Sequence, residues 1–150
     1  MSKEILILNG PNLNALGRRE PEKYGAQSLS ALKQQWQEWG EKNQCVVKAQ
    51  QSNFEGELLD LLHAAEALNQ FGVVLFNPGA FTHTSRALRD GIASLTIPVI
   101  EIHITNVAAR EAWRKHSLLA EVCAGSIVGL GSLGYRLGLE AALEIMKECS

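Results

Sequence analysis

Residues 4–14 read EILILNGPNLN, and this stretch indicates how the chain folds. It begins with a short apolar run, Glu4–Leu8, which is typical of a buried β-strand. The run ends at Asn9, Gly10 and Pro11, which favour a turn over a continued strand. Four similar runs follow, rich in Val and Ile and bounded by Gly, Pro or Asn: Cys45–Ala49, Val73–Phe76, Ile97–Ile102 and Ser126–Leu130.

Amphipathic segments between the runs predict helices. In the first segment Leu29, Leu32, Trp36 and Trp39 share one helical face, and Ser28 precedes it as a candidate N-cap. We assign both tryptophans to the core. Later apolar stripes have the same spacing: Leu58, Leu61, Leu62 and Ala65; Ala87, Leu88, Ile92 and Leu95; Leu139, Ala142, Leu143 and Met146.

Strands that alternate with helices pair in parallel through right-handed crossovers. The sequence therefore predicts an α/β fold in one domain over residues 1–150. We expect a flavodoxin-like, doubly wound sheet of five parallel strands in the order 2-1-3-4-5. Ligands of such sheets bind beyond the carboxyl ends of the strands, so the segments that follow each strand are where a site is expected.

Composition argues against several classes of function. The chain is 46% hydrophobic and 20% charged, with a net charge of -2. It has no basic excess of the kind that nucleic-acid proteins show. Its first apolar run is too short for a signal peptide or a membrane span. The three cysteines are widely spaced and include no CxxC pair, which favours buried thiols in a reducing cytoplasm.

Two possible binding sites, one for a dinucleotide and one for a metal ion, are not supported by the surrounding sequence. Gly129, Gly131 and Gly134 fit the dinucleotide pattern GxGxxG, but the acidic residue expected about 20 positions later has no room in a chain of 150 residues. Close packing of a strand on its helix explains these glycines. Two histidines on the rim, His83 and His103, have no ligand spacing that supports a metal site, and we expect neither metal nor cofactor.

The segment from Gly10 to Gln27 is long for a strand-to-helix connection, and long loops are commonly active-site lids. A purely structural loop is the alternative. This segment carries Arg19 and Tyr24, and a guanidinium near a phenol favours phenolate. Tyr24 is therefore a candidate base.

Glu101 and His103 are two residues apart on a predicted strand, so their side chains point to the same face. A histidine oriented by a carboxylate can protonate a departing hydroxyl. Asn12 could hold a water or donate to a developing negative charge. The backbone N–H groups of Ile104 and Thr105 could seat a carboxylate. Arg114 could supply further donors. On the residues alone, this set predicts acid–base chemistry on a small polar anion.

Seven motifs, read in order, resemble the type II 3-dehydroquinate dehydratase family. They span nearly the whole chain: NGPNLN at 9–14, LGxREPxxYG at 16–25, QSNxEG at 51–56, NPGAFTHTS at 77–85, IEIHI at 100–104, RExxR at 110–114 and AGxIxGxGxxGY at 124–135.

The resemblance implies dehydration of 3-dehydroquinate to 3-dehydroshikimate by anti elimination through an enolate, without metal or Schiff base. This step serves both the shikimate pathway and quinate catabolism. By position Tyr24 would be the base, Arg19 its support, and His103, positioned by Glu101, the acid. Asn12 would hold the water that stabilises the enolate.

The resemblance also implies roles in substrate binding and assembly. Residues that would bind substrate hydroxyls or its carboxylate are Asn77, His83, Ile104, Thr105 and Arg114. Asp90 would reach a neighbouring subunit's site in a homododecamer, a tetramer of trimers.

The sequence departs from the family pattern at four positions: Thr105 for Ser, Phe81 for Tyr, Phe54 for a polar residue and Trp113 for Phe. None removes a proposed catalytic group. Two rival hypotheses remain open. One is a different acid–base reaction, such as an isomerisation of a related cyclic acid. The other is an inert member that binds anions or only assembles.

Overall fold

The structure, a computed structural model, describes residues 3–149. Five strands alternate with helices along the chain. The strands are β1 (Glu4–Asn9), β2 (Val47–Gln51), β3 (Phe71–Asn77), β4 (Val99–His103) and β5 (Gly125–Val128). The longer helices are α2 (Leu29–Lys42), α3 (Glu55–Leu68), α4 (Arg86–Ala93) and α5 (Leu133–Glu148), and a single turn, α1 (Pro21–Tyr24), precedes them.

All five strands pair in parallel in the order β2-β1-β3-β4-β5. In the centre of the sheet Ile7 lies opposite Ala49 on one side and Leu75 on the other. The predicted α/β class and strand order are confirmed. The chain order reverses on either side of β1, so the crevice beyond β1 and β3 is where a ligand of such a sheet binds.

Each face of the sheet has its own apolar core. Helices α2 and α5 cover one face, where Trp36 packs on Tyr135 with ring centroids 4.6 Å apart. Helices α3 and α4 cover the other face, around Leu62, Phe76 and Leu88. The predicted N-cap is confirmed, because the Ser28 side chain accepts a hydrogen bond from the backbone N–H of Ala31.

Alternation along β4 decides which side chains reach which face. Ile100 and Ile102 belong to the core beneath α5, whereas Val99 belongs to the core beneath α4. Glu101 and His103 share the face of Val99, as a period of two requires. A buried carboxylate and a buried imidazole are therefore carried on one face of a strand whose other residues are apolar.

Gly10 lets the segments after β1 and β3 approach each other. Its N–H donates to the carbonyl of Asn77 at 2.7 Å. A Cβ at this position would lie 2.7 Å from the carbonyl oxygen of Pro78, too close for any other residue. Gly129, after β5, has a φ of +88°, and a Cβ there would contact Asn106. Gly131 has a φ of +66°, and a Cβ there would meet nothing within 4 Å, so backbone conformation rather than close packing of a strand on its helix explains Gly129 and Gly131 of the GxGxxG pattern.

None of the helices in residues 3–149 is both long and apolar enough to cross a membrane.

Candidate active site

A small pocket opens at the carboxyl ends of β1, β3 and β4. Nine of the eleven residues selected from the sequence line this pocket: Asn12, Arg19, Tyr24, Asn77, His83, His103, Ile104, Thr105 and Arg114. Pro11, Leu13, Gly79, Ala80, Val107 and Arg110 complete the wall. The fold thus brings together segments up to about a hundred residues apart in the sequence.

Two guanidinium groups surround the Tyr24 ring. Arg110 donates a hydrogen bond from Nη1 to the phenol oxygen at 2.8 Å. Arg19 lies over the ring face, with its Cζ 4.7 Å from the ring centroid. A guanidinium hydrogen bond is strongest to the ionised oxygen. Both guanidinium groups are therefore placed where they could stabilise negative charge on the Tyr24 oxygen.

Arg110 is held by the end of β4. The same Nη1 donates to the Thr105 hydroxyl at 3.1 Å. The resemblance seen in the sequence expects Ser at position 105, and Thr105 provides the same hydroxyl. The Nε of Arg110 is buried and has no hydrogen-bond partner in the part of the chain described.

Glu101 and His103 form a buried pair on the opposite wall. The Glu101 side chain is 2% exposed, and its Oε2 lies 2.5 Å from the His103 Nε2. Burial alone would raise the pKa of the Glu101 carboxyl. Hydrogen bonds from His103, Thr82 and Ser117 outweigh burial and hold this pKa below its usual value. Glu101 is therefore ionised at neutral pH and accepts the Nε2 proton, leaving Nδ1 of His103 for exchange with a substrate.

His83 is held by a backbone contact. Its Nδ1 lies 2.8 Å from the carbonyl oxygen of His116, so Nδ1 carries the proton and Nε2 is an acceptor. Burial lowers the pKa of His83, and the positive charges of His103 and Arg114 lower it further. His83 is thus a neutral group suited to a substrate hydroxyl.

Trp113 packs behind His83 and Arg114. It meets the His83 ring edge to face, with centroids 5.3 Å apart, and the Arg114 guanidinium lies 4.0 Å from a Trp113 ring centroid. Arg114 also pairs with Glu111 through Nε. Trp113, which stands where the sequence pattern expects Phe, therefore supports two pocket residues.

Asparagines form the remaining wall. The backbone N–H of Asn12 donates to the Asn53 side chain at 3.0 Å, while Asn12 has a φ of +70°. Asn77 donates from Nδ2 to the buried Tyr135 hydroxyl at 2.8 Å, and its Oδ1 accepts from the N–H of Gly79. Tyr135 in turn donates to the Asn9 side chain at 2.7 Å. These bonds hold the Asn77 amide in one orientation.

Two selected residues lie outside the pocket wall. Glu101 lies behind His103. Asp90, on α4, has a side chain 76% exposed and pairs with Arg89 at 3.2 Å. Within one chain, Asp90 is not brought to the site.

Sequence reasoning did not select Arg110, Thr82 or Ser117. Arg110 opens the RExxR motif, from which only Arg114 was selected. Thr82 lies inside the NPGAFTHTS motif. Both were therefore visible as members of motifs, but their partners depend on how the segments after β3 and β4 fold against each other.

Within residues 3–149, no group of three or more His, Cys, Asp or Glu side chains is placed to hold a metal ion.

The family model described as "Dehydroquinase class II" matches residues 3–143. The chain belongs to the class II dehydroquinase family. It is 52% identical over 143 residues to the 3-dehydroquinate dehydratase of Anoxybacillus flavithermus, which covers 95% of each chain.

Solved structures of class II dehydroquinases have the same fold as this chain. The type II dehydroquinase from Butyrivibrio crossotus superimposes with a TM-score of 0.91 at 40% identity, covering 93% of this chain and 97% of that one. The enzyme from Propionibacterium acnes gives a TM-score of 0.89 at 40% identity, with 95% and 98% covered. The resemblance seen in the sequence motifs is confirmed.

Proposed function

We propose that this class II dehydroquinase removes water from 3-dehydroquinate to give 3-dehydroshikimate, with Tyr24 as base and His103 as acid. The observation that carries the proposal is the Arg110–Tyr24 hydrogen bond on one wall of a pocket whose other wall holds the His103–Glu101 pair. A base and an acid with opposite proton requirements face the same small cavity, as an elimination needs.

In the first step the Tyr24 phenolate takes a proton from the carbon beside the substrate carbonyl. The C–H electron pair moves into the carbonyl system and forms an enolate. Arg110 and Arg19 stabilise the phenolate before the transfer. Asn12 holds a water that donates to the enolate oxygen, where negative charge develops.

In the second step the enolate collapses and expels the hydroxyl. His103 protonates the departing oxygen, so water leaves and a carbon–carbon double bond forms in conjugation with the ketone. The Glu101 carboxylate stabilises the imidazolium before the transfer and fixes the ring orientation. The residues return to their starting proton states by exchange with solvent.

The remaining wall suits an anionic polyol. Asn77, His83 and Arg114 offer donors and acceptors to hydroxyls, and the backbone of Ile104 and Thr105 receives the carboxylate. Arg19, Arg110 and Arg114 line the cavity, and no carboxylate is among the described residues of its wall. The local charge is therefore positive, although the chain has a net charge of -2.

The first experiment follows ultraviolet absorbance of the purified protein mixed with 3-dehydroquinate, with and without a chelator and borohydride. We expect absorbance of the conjugated product to rise, unaffected by either additive. Loss of the signal with chelator or borohydride would contradict a metal-free, imine-free route. No rise at all would favour the inert or different-substrate hypotheses.

The Tyr24→Phe variant tests the base. We expect kcat to fall about 10²- to 10⁴-fold, the range for loss of a general acid–base group. Substrate binding should stay measurable by calorimetry, because the ring and both arginines remain. Near-normal turnover in this variant would exclude Tyr24 as the base.

Assembly is a further part of the proposal. We propose a homododecamer built as a tetramer of trimers, in which Asp90 reaches a neighbouring site. Its 76% exposed side chain, away from its own chain's pocket, fits that role. The free thiols of Cys45, Cys123 and Cys149 fit the proposed location in the cytoplasm.

A further inference from the structure

Thr82 and Ser117 lie behind the acid side of the pocket and contact the Glu101 carboxylate. Thr82 is fully buried in the turn after β3, and its hydroxyl lies 2.6 Å from Oε2 of Glu101. The Ser117 hydroxyl lies 2.9 Å from Oε1 and 3.0 Å from Oε2. Together with His103, three side chains donate to one buried carboxylate.

The direction of each hydrogen bond follows from counting lone pairs. Ser117 Oγ accepts the backbone N–H groups of Leu119 at 3.1 Å and Ala120 at 3.0 Å. Both lone pairs of this oxygen are then occupied, so its hydroxyl proton must be donated. Thr82 Oγ, 2.7 Å from Ser117 Oγ, finds no free acceptor there and donates to Glu101. Both hydroxyls therefore donate to the Glu101 carboxylate. An ionised carboxylate can only accept hydrogen bonds, which suits this arrangement.

The same two segments also hold His83. The carbonyl of His116, next to Ser117, accepts the His83 proton, and the carbonyl of Thr82 accepts the N–H of Leu118 at 2.7 Å. The turn after β3 and the segment around residue 117 thus join at successive positions. Replacing the Thr82 side chain therefore changes the hydrogen bonds to Glu101 at the point where these two segments meet.

We propose that Thr82 and Ser117 are positioning residues that keep the proton of the acid pair on His103 rather than on Glu101. This inference rests on the proposed role of His103 as the acid. Neither hydroxyl lines the pocket, and both act through Glu101. They make the carboxylate a weaker base, so that when the pair carries its proton the imidazole rather than the carboxyl group holds it, and Nδ1 can donate.

Loss of one hydroxyl has two linked consequences. The carboxylate becomes more basic, and part of the protonated pair carries its proton on Glu101 with a neutral, weakly acidic imidazole. The maximal kcat therefore falls. At the same time the pair binds its proton more tightly, so the alkaline fall of kcat moves to higher pH.

Other titratable groups near the pair do not produce this signature. Burial already holds the pKa of His83 low, so His83 is neutral throughout the alkaline range. Burial, together with the negative charge of Glu101, raises the pKa of Cys123 to about 12. Arg114 stays charged.

The test compares kcat, KM and the pH profile of Thr82→Val with those of the wild type. Valine keeps the shape of threonine and removes the hydroxyl. We expect kcat to fall about 10- to 100-fold, as for loss of a hydrogen bond to a charged group. We expect KM to change little and the alkaline limb to move up by about 0.5 to 1 pH unit.

Three further variants serve as controls. Thr82→Ser keeps the hydroxyl and should restore the wild-type profile. Thr84→Val makes the same replacement at an exposed position two residues away and should behave as the wild type. Ser117→Ala should show the signature of Thr82→Val, and it replaces Thr82→Val as the test if that variant does not fold.

A lower kcat with an unmoved alkaline limb would show a merely structural role and overturn the inference. So would a Thr82→Ser variant as impaired as Thr82→Val. If the wild type itself does not turn over 3-dehydroquinate, the proposed function fails instead, and the two failures are distinguished by the wild-type assay alone.

Discussion

At the scale of single residues, Arg110 is the partner of Tyr24 that donates directly to its oxygen. Arg19 approaches the ring face, whereas Arg110 bonds both the phenol oxygen and the Thr105 hydroxyl through one nitrogen. A lysine ammonium is a compact charge on a flexible stem, and it does not hold its nitrogen in place as a planar guanidinium group does. The two arginines around Tyr24 therefore have different contributions.

We expect Arg110→Lys to lower kcat about 10- to 100-fold, because one charge-assisted hydrogen bond to the phenolate is lost or poorly placed. Steady-state kinetics with 3-dehydroquinate measure this fall in kcat. Arg18→Lys is the matched control, since Arg18 is an exposed arginine in the segment after β1 and lies outside the pocket wall. Equal activity of both variants would show that Arg110 does not support the base.

The sequence predicted the position of a side chain best where that side chain lies at the end of a strand. His103 and Asn77 are the last residues of β4 and β3, so the strand pattern alone located them at the rim. Arg110 and Ser117 lie in irregular segments that flank short 3-10 turns between β4 and β5. No periodicity marks such segments, and their contacts follow only from the folded path of the backbone.

At the scale of elements, the sequence predicted that each strand and each longer helix exists, but it predicted less well where each one begins and ends. The fourth strand was expected from Ile97 but begins at Val99, because Pro98 has no N–H to donate and only accepts from Val74. The last strand was expected to reach Leu130 but ends at Val128, since the φ of Gly129 is +88°. In α4, Ala87 is exposed, and Gly91 joins Leu88 and Ile92 on the buried side.

Two helical glycines allow a matched prediction. A Cβ at Gly40, in α2, would lie 2.4 Å from the carbonyl oxygen of Cys45, whereas a Cβ at Gly56, in α3, would meet nothing within 4 Å. Gly40→Ala should lower the free energy of unfolding by about 1–3 kcal/mol through overpacking. Gly56→Ala should raise it by about 0.4–1 kcal/mol through the unfolded-state entropy.

Denaturant unfolding at one protein concentration measures both changes. Turnover should stay normal in each variant, because neither glycine lines the pocket. A stabilised Gly40→Ala would mean that the end of α2 can shift away from Cys45 at little cost.

At the scale of the whole molecule, Asp90 tests whether sites are shared between subunits. Asp90→Ala and Tyr24→Phe should each be impaired alone. Mixed assemblies, formed by dissociating and reassociating the two variants, should regain activity, because some sites combine an intact Tyr24 with an intact Asp90 from a neighbour.

Activity of the mixtures is compared with that of each variant at the same total concentration, and light scattering gives the assembled mass, expected at about twelve chains. A mixture that behaves as the simple average of its components would show that each site is contained in one chain. A mixture of wild type and Tyr24→Phe serves as the control, because every subunit in it has an intact Asp90.

The buried Tyr135 has an optical consequence. The chain contains two tyrosines, and burial raises the pKa of Tyr135 well above the usual range for a phenol. Tyr135 therefore remains silent in an ultraviolet titration of the folded protein. The phenolate band that grows with pH belongs to a single chromophore, Tyr24, so the ionisation of the base can be recorded in the unmodified enzyme without a label.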